Sequence, residues 1–127
     1  MDISPDGKSL GFLESADSAL KVMPSEGGKP RLVHKFTEGW STSVTWSPDG
    51  NYLFFTKVPK GEDKTGKIEL WRISSEGGEP VKFPLVADGM ENLRIHPDGK
   101  RIAFNTFAFH QETWVMENFL PAGKAKK

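Results

Sequence analysis

Ser47-Pro48-Asp49-Gly50 stands between two apolar-alternating runs, Ser43–Ser47 and Tyr52–Lys57. It reads as a tight turn joining two strands. Pro presets φ at the first corner, Asp can accept hydrogen bonds from backbone amides just ahead of it, and Gly takes positive φ without a Cβ clash. The same chemistry occurs at Ser4-Pro5-Asp6-Gly7 and at His96-Pro97-Asp98-Gly99. After each turn an identical pattern follows. Leu10, Leu53 and Ile102 lie four residues past the Asp, and Phe12, Phe55 and Phe104 lie six past it. Period-2 alternation of this kind predicts a strand with one buried face.

The turn aspartates are 43 and then 49 residues apart, from Asp6 to Asp49 to Asp98. A period of roughly 40–45 residues marks four-stranded propeller blades. A second signal repeats in register: Ser25-Glu26-Gly27-Gly28-Lys29-Pro30 returns as Ser75-Glu76-Gly77-Gly78-Glu79-Pro80, with Gly-Gly as another hairpin turn. The predicted class is therefore all-β, about two and a half to three antiparallel blades of an incomplete ring. Residues 1–36 form a partial blade with strands Ser9–Glu14, Ala19–Met23 and Pro30–Phe36, and Met1–Ser4 is too short for a full innermost strand. Residues 37–86 form a complete blade with strands Ser43–Ser47, Tyr52–Lys57, Ile68–Ile73 and Pro80–Pro84, and a polar insertion at 58–66. Residues 87–121 form a blade with strands Glu91–His96, Arg101–Thr106 and Thr113–Glu117, and no fourth strand. Residues 122–127 read as a disordered basic tail.

The composition narrows the function. Seventeen Lys and Arg balance 17 Asp and Glu, without the basic stripe of a duplex nucleic-acid binder. Lys124, Lys126 and Lys127 are the one basic run, a solvated end. No apolar run approaches the roughly 20 residues of a membrane helix, and no signal-peptide pattern opens the sequence. With no cysteine there are neither disulfides nor thiolate metal sites, and either redox compartment suits the chain.

The three turn motifs, Leu53-Phe54-Phe55, Ile102-Ala103-Phe104, Leu70-Trp71-Arg72-Ile73, Trp114-Val115-Met116 and Gly77-Gly78 together resemble the WD40-like propeller repeat of the TolB type. The resemblance spans nearly the whole chain. It implies a bacterial propeller and a binding role, and it favours a periplasmic or extracytoplasmic location. Such repeats also occur in propellers attached to serine peptidases and in sensor regions fused to bacterial protein kinases. The ending Trp114–Pro121 looks like the last blade of that group, so the chain reads as the C-terminal part of a larger propeller. A half-ring that pairs with a second copy and an open stack are the alternatives. Open blade edges would favour self-association in any of these forms.

No chemistry in the sequence argues for catalysis, a cofactor or a metal. A nucleophile elbow such as Gly-x-Ser-x-Gly is missing. His34, His96 and His110 have no ligand spacing, and His96 replaces the turn Ser. Asp6, Asp49 and Asp98 are explained by turn geometry. Trp46, Trp71 and Trp114 lie in strands and read as packing between blades. Trp40 differs, because it sits in a loop between units. Propeller connectivity puts the fourth-to-first and second-to-third loops on one face, and binding residues concentrate on loops held by a rigid scaffold. That face carries Glu38, Trp40 and Ser41, then Asp88, Met90, Glu91 and Asn92, with Lys60, Asp63, Lys64, Phe109 and His110 beside them. An aromatic near carboxylates and amides suits a protein, peptide or carbohydrate ligand.

Overall fold

The computed structural model describes residues 1–61, 66–107 and 111–117. Among these residues there is no helix. Eleven strands form three antiparallel sheets. Sheet 1 holds β1 (Asp2–Ile3), β2 (Ser9–Glu14), β3 (Ala19–Pro24) and β4 (Arg31–Lys35), each hydrogen-bonded to the next in sequence. Sheet 2 repeats this order with β5 (Val44–Trp46), β6 (Tyr52–Lys57), β7 (Lys67–Ser74) and β8 (Val81–Asp88). Sheet 3 has β9 (Glu91–Ile95), β10 (Arg101–Phe107) and β11 (Gln111–Glu117). The stretch after Glu117, expected to lack a fourth strand and to end in a basic tail, lies outside the described residues.

The three turns share one hydrogen-bond design. Gly7, Gly50 and Gly99 have φ near +76°, +77° and +73°, and each N–H donates back to the carbonyl of Ser4, Ser47 or His96 at 2.8–3.0 Å. Asp49 Oδ1 accepts from Ser47 Oγ at 2.6 Å and from Asn51 N at 2.9 Å. Asp6 does the same with Ser4 Oγ and Lys8 N. In the third turn Asp98 accepts from Lys100 N, and His96 Nδ1 lies 3.1 Å from Asp98 N and 3.0 Å from Asp98 Oδ1. The imidazole thus stands where the other turns place a serine hydroxyl.

Sheet 2 is covered on both faces. Val44, Trp46, Leu53, Phe55 and Ile73 pack with Leu20, Val22, Val33 and Phe36 from sheet 1 and the residue just after it. Phe54, Ile68, Leu70 and Phe83 pack with Leu93, Ile102 and Phe104 of sheet 3. Gly11 makes room at the first junction: a Cβ there would lie 3.2 Å from the Trp46 indole nitrogen. Polar ties fix the register. Asp2 Oδ2 accepts from Thr45 Oγ1 and Trp46 N, both at 2.9 Å, and the Asp2 carbonyl accepts from Trp46 Nε1 at 3.0 Å. The two bonds to the carboxylate net about 1.5–3 kcal/mol each and the bond to the carbonyl about 0.5–1.5 kcal/mol, whereas each of the many fully buried Leu, Ile and Phe side chains contributes about 1.5–3 kcal/mol. Apolar burial therefore holds the sheets together, and the hydrogen bonds set how they align.

Two expectations change. Strand β8 runs to Asp88 instead of ending at Pro84. The β7–β8 register shifts between Glu69 and Trp71, and β8 is an edge strand, so the missing N–H of Pro84 breaks no continuous ladder. Trp46 and Trp71 pack between sheets 1 and 2, but Trp114 is 52% exposed. The indole of Trp71 is held by Glu69 (2.9 Å), which pairs with Lys82 of β8 at 3.1 Å. Among the described residues no strand stands beside Trp114 in the place of β8.

Two predictions follow from this packing. Replacing Gly50 or Gly99 with Val forces a β-branched residue into positive φ and should cost on the order of 1–3 kcal/mol; an unchanged urea midpoint would contradict the turn assignment. His34 is half-buried against Phe36 and Phe55, with ring centroids 5.1 and 5.6 Å away. Burial, and then the nearby Lys57 charge, hold its pKa below the ordinary 6.5, against a smaller opposing effect of Glu79. The folded state thus binds fewer protons than the unfolded chain. Its stabilising contribution is present above pH 6.5 and is lost as pH falls through the lowered folded value. His34→Gln should remove this part of the acid sensitivity in melts across that window.

Candidate functional site

The loops at one end of the sheets are stitched to one another. Phe36 N donates to Ser18 O at 2.8 Å, which joins the β4–β5 loop to the β2–β3 turn. Trp40 and Val58 form an antiparallel bridge with two backbone hydrogen bonds, 3.1 and 2.6 Å. Gly89 N donates to Gly66 O at 2.9 Å, joining the β8–β9 turn to the β6–β7 loop. These contacts bring the β2–β3, β4–β5, β6–β7 and β8–β9 connections together at one end of the sheets.

A buried hydroxyl anchors the β4–β5 loop from below. Thr56, fully buried, accepts at Oγ1 from Thr42 N (2.9 Å) and Ser43 N (3.1 Å). Thr42 Oγ1 donates to the Met90 carbonyl at 2.9 Å, so the 2.7 Å contact between the two threonine hydroxyls is donated by Thr56. Ser43 Oγ in turn accepts from Leu93 N at 3.0 Å. A fully paired buried network of this kind gives the loop one defined position.

Trp40 stands on this anchored loop, 42% exposed. Gly39 makes its pose possible. Its φ is +95°, and a Cβ there would clash with the Val58 carbonyl oxygen. Beside the indole lies a hollow of about 240 Å³. Leu13, Ala19 and Phe36 line it with apolar surface, and Ser15, Ser18 and Ser41 bring hydroxyls. Glu14 also lines it, but its carboxylate is 2.6 Å from Lys21 Nζ. Lys21 also bonds Asp17 at 2.9 Å. This pairing holds the Asp17 carboxyl below the usual carboxylate range and raises Lys21.

The remaining sequence-derived candidates divide. Ser41 lines the hollow and donates to Ser43 O at 3.2 Å. Glu38 is exposed on the same loop. Asp88 ends β8 and pairs with Lys67 at 2.8 Å. Glu91 opens β9 opposite Asn105. Asn92, at φ +56°, falls where the β9–β10 register shifts, so a bulge accounts for its conformation. Met90 requires a correction. It is fully buried, packed with Val58, Leu93 and Phe104, and its side chain faces the core, not a ligand. Asp63, Lys64, Phe109 and His110 lie outside the described residues. Sequence reasoning missed Leu13, Glu14, Ser15 and Ser18. The loop rule that placed Lys60 and His110 on this face, applied to the first unit, puts Ser15–Ser18 there too.

A larger hollow, about 590 Å³, opens at the opposite end between the first two Pro-Asp turns. Its Asp6 and Asp49 already serve their turns; Arg31, Asn51 and Glu76 also line it, but it has no exposed aromatic such as Trp40.

No family model matches the chain. An uncharacterized protein of Agrobacterium fabrum, Atu1656, is 26% identical over 107 residues, covering 82% of this chain and 34% of that protein. The uncharacterized peptidase YuxL of Bacillus subtilis is 29% identical over 108 residues, covering 83% of this chain and 15% of that protein. The chain thus spans at most about a third of these relatives. A solved TolB-like structure from Agrobacterium tumefaciens superposes with a TM-score of 0.72 at 21% identity, over 92% of this chain and 44% of that one. By fold, the chain is a run of β-propeller blades that resemble those of this TolB-like structure.

Proposed function

We propose that this chain is a non-catalytic propeller segment that serves as a binding and protein-interaction scaffold, with its recognition site on the Trp40 loop face. One observation carries the reading: an exposed tryptophan is pinned by a backbone bridge to Val58 and by the Thr56 network, beside a hollow. An exposed large aromatic that is already rigid loses little conformational freedom on binding, and such residues dominate interface energetics. Glu38 lies on the same loop, and Asp88 and Glu91, at the β8–β9 turn, are the further polar candidates of this reading. The likeness to YuxL favours a second reading, an accessory propeller of a serine peptidase; a sensor propeller of a bacterial kinase belongs to the same class. A Gly-x-Ser-x-Gly elbow or a kinase motif set in the flanking gene sequence would decide for this second reading.

The test is affinity capture on the immobilised chain, followed by titration of whatever is captured. Trp40→Ala should weaken binding at least tenfold, and Glu91→Ala by a smaller factor. If neither variant changes any measured affinity, the site lies elsewhere. Gly39→Ala tests preorganisation. It should lower stability by on the order of 1–3 kcal/mol and weaken binding with the indole itself retained. Unchanged affinity in a folded Gly39→Ala variant would show that the Val58 bridge does not matter for recognition.

A further inference from the structure

We infer that the Trp40 hollow takes one large apolar side chain of an extended peptide, with the serine rim receiving the peptide backbone; this rests on the loop-face reading above. At about 240 Å³ the hollow falls below the roughly 300–1,000 Å³ of sites that enclose a whole small molecule. It has room for a single side chain or a single sugar ring, and its lining chooses between them. Ala19 and Phe36 are almost fully buried, and with Leu13 they form a floor with no hydrogen-bonding group; the indole adds a single N–H donor at the edge. A sugar placed on that floor would bury most of its hydroxyls without partners, which costs affinity for each. An apolar side chain meets no such penalty.

The polar groups suit a peptide as well. Glu14, the one carboxylate at the hollow, is already engaged by Lys21, so it is poorly placed to grip sugar hydroxyls. The Ser41 hydroxyl gives its proton to Ser43 O, which leaves lone pairs for an incoming backbone N–H. Among the described residues, the hydroxyls of Ser15 and Ser18 make no hydrogen bond to the protein and can donate to a peptide carbonyl. A rim of hydroxyls around an apolar floor thus matches the alternation of one buried side chain with flanking backbone groups in an extended segment.

The experiment presents the full chain with two sets of probes: a phage-displayed library of random dodecapeptides, and the methyl glycosides of glucose, galactose, mannose and N-acetylglucosamine. Two variants accompany it, Ser15→Trp to plug the hollow from its exposed rim and Trp40→Leu to remove the indole, each checked for folding by its melt. The expected result is a set of peptides sharing one large apolar residue, with affinity at least tenfold lower for both variants. Peptides that share only charged residues, or that bind both folded variants unchanged, would overturn the inference. If a glycoside binds in a Ser15→Trp-sensitive manner and no peptide is selected, the occupant is a sugar; the inference falls and the loop-face reading stands. If no peptide and no glycoside binds, the inference falls, and the capture experiment with Trp40→Ala decides the loop-face reading separately.

Discussion

Phe54 and Phe55 are neighbours in β6, point to opposite faces of sheet 2, and are both fully buried. A sheet with apolar residues on both faces is stable only between two other layers. The architecture follows from that constraint: sheet 1 covers the Phe55 face and sheet 3 covers the Phe54 face. The outer layers do not repeat this pattern equally. Leu20 and Leu70 hold matching places opposite Leu13 and Thr56, and both are fully buried. The matching place in sheet 3 is Thr113, opposite Asn105 and hydrogen-bonded to it at 2.8 Å. Exposed apolar residues nevertheless remain on both outer sheets: Ile3 and Leu32 on sheet 1 and Trp114 and Val115 on sheet 3 are each more than half exposed. The apolar character that demands a neighbour is thus strong at sheet 2 and persists at both outer sheets.

The same junctions govern the candidate site. Sheets packed face to face bring their end loops within hydrogen-bonding reach, and the loops then fix one another through Ser18, Val58 and Gly66. Thr56 is polar at a place inside β6 where sheet 1 carries Leu13. Its hydroxyl does what an apolar residue could not: it pairs the two amides at the head of β5 and sends a proton to Thr42. A buried hydroxyl costs stability unless paired. Among the described residues no buried side-chain nitrogen or oxygen lacks a partner. The polar residue in the core is therefore part of the platform on which Trp40 stands.

What the sequence revealed was what local chemistry decides. A Pro-Asp-Gly turn is specified by its own residues, so three copies disclosed the hairpins, their spacing and the blade repeat. Strand β6 has the expected bounds, Tyr52–Lys57, but both of its faces are buried where the alternation predicted one, because sheets 1 and 3 cover it from either side. Features that depend on another sheet were harder to read. Asp88-Gly89-Met90 looks like an exposed loop, and its neighbours are polar; a lone methionine there was nevertheless a core residue, because sheet 3 folds back over it. Trp71 and Trp114 are equivalent in pattern, yet their burial differs by what lies alongside. The Trp40 face was legible from connectivity, but the walls of its hollow belong to the previous unit, and no local pattern joins Leu13 and Ser15 to a residue some 25 positions later in the sequence.

That split origin has an energetic consequence. One wall of the hollow is the β2–β3 hairpin of sheet 1, and the other is an indole bridged to sheet 2 through Val58. A ligand seated between them touches both sides of a junction that otherwise rests on apolar burial and a few hydrogen bonds. Binding that requires the two sheets to stay aligned stabilises the alignment by mass action, by about 2.7 kcal/mol at a hundredfold excess of ligand over Kd. This is comparable to burying one more leucine at the interface. Linkage works in both directions: whatever holds sheets 1 and 2 together more firmly also preorganises the hollow. The binding proposed at Trp40 and the packing of the first two blades would therefore be two measures of one equilibrium.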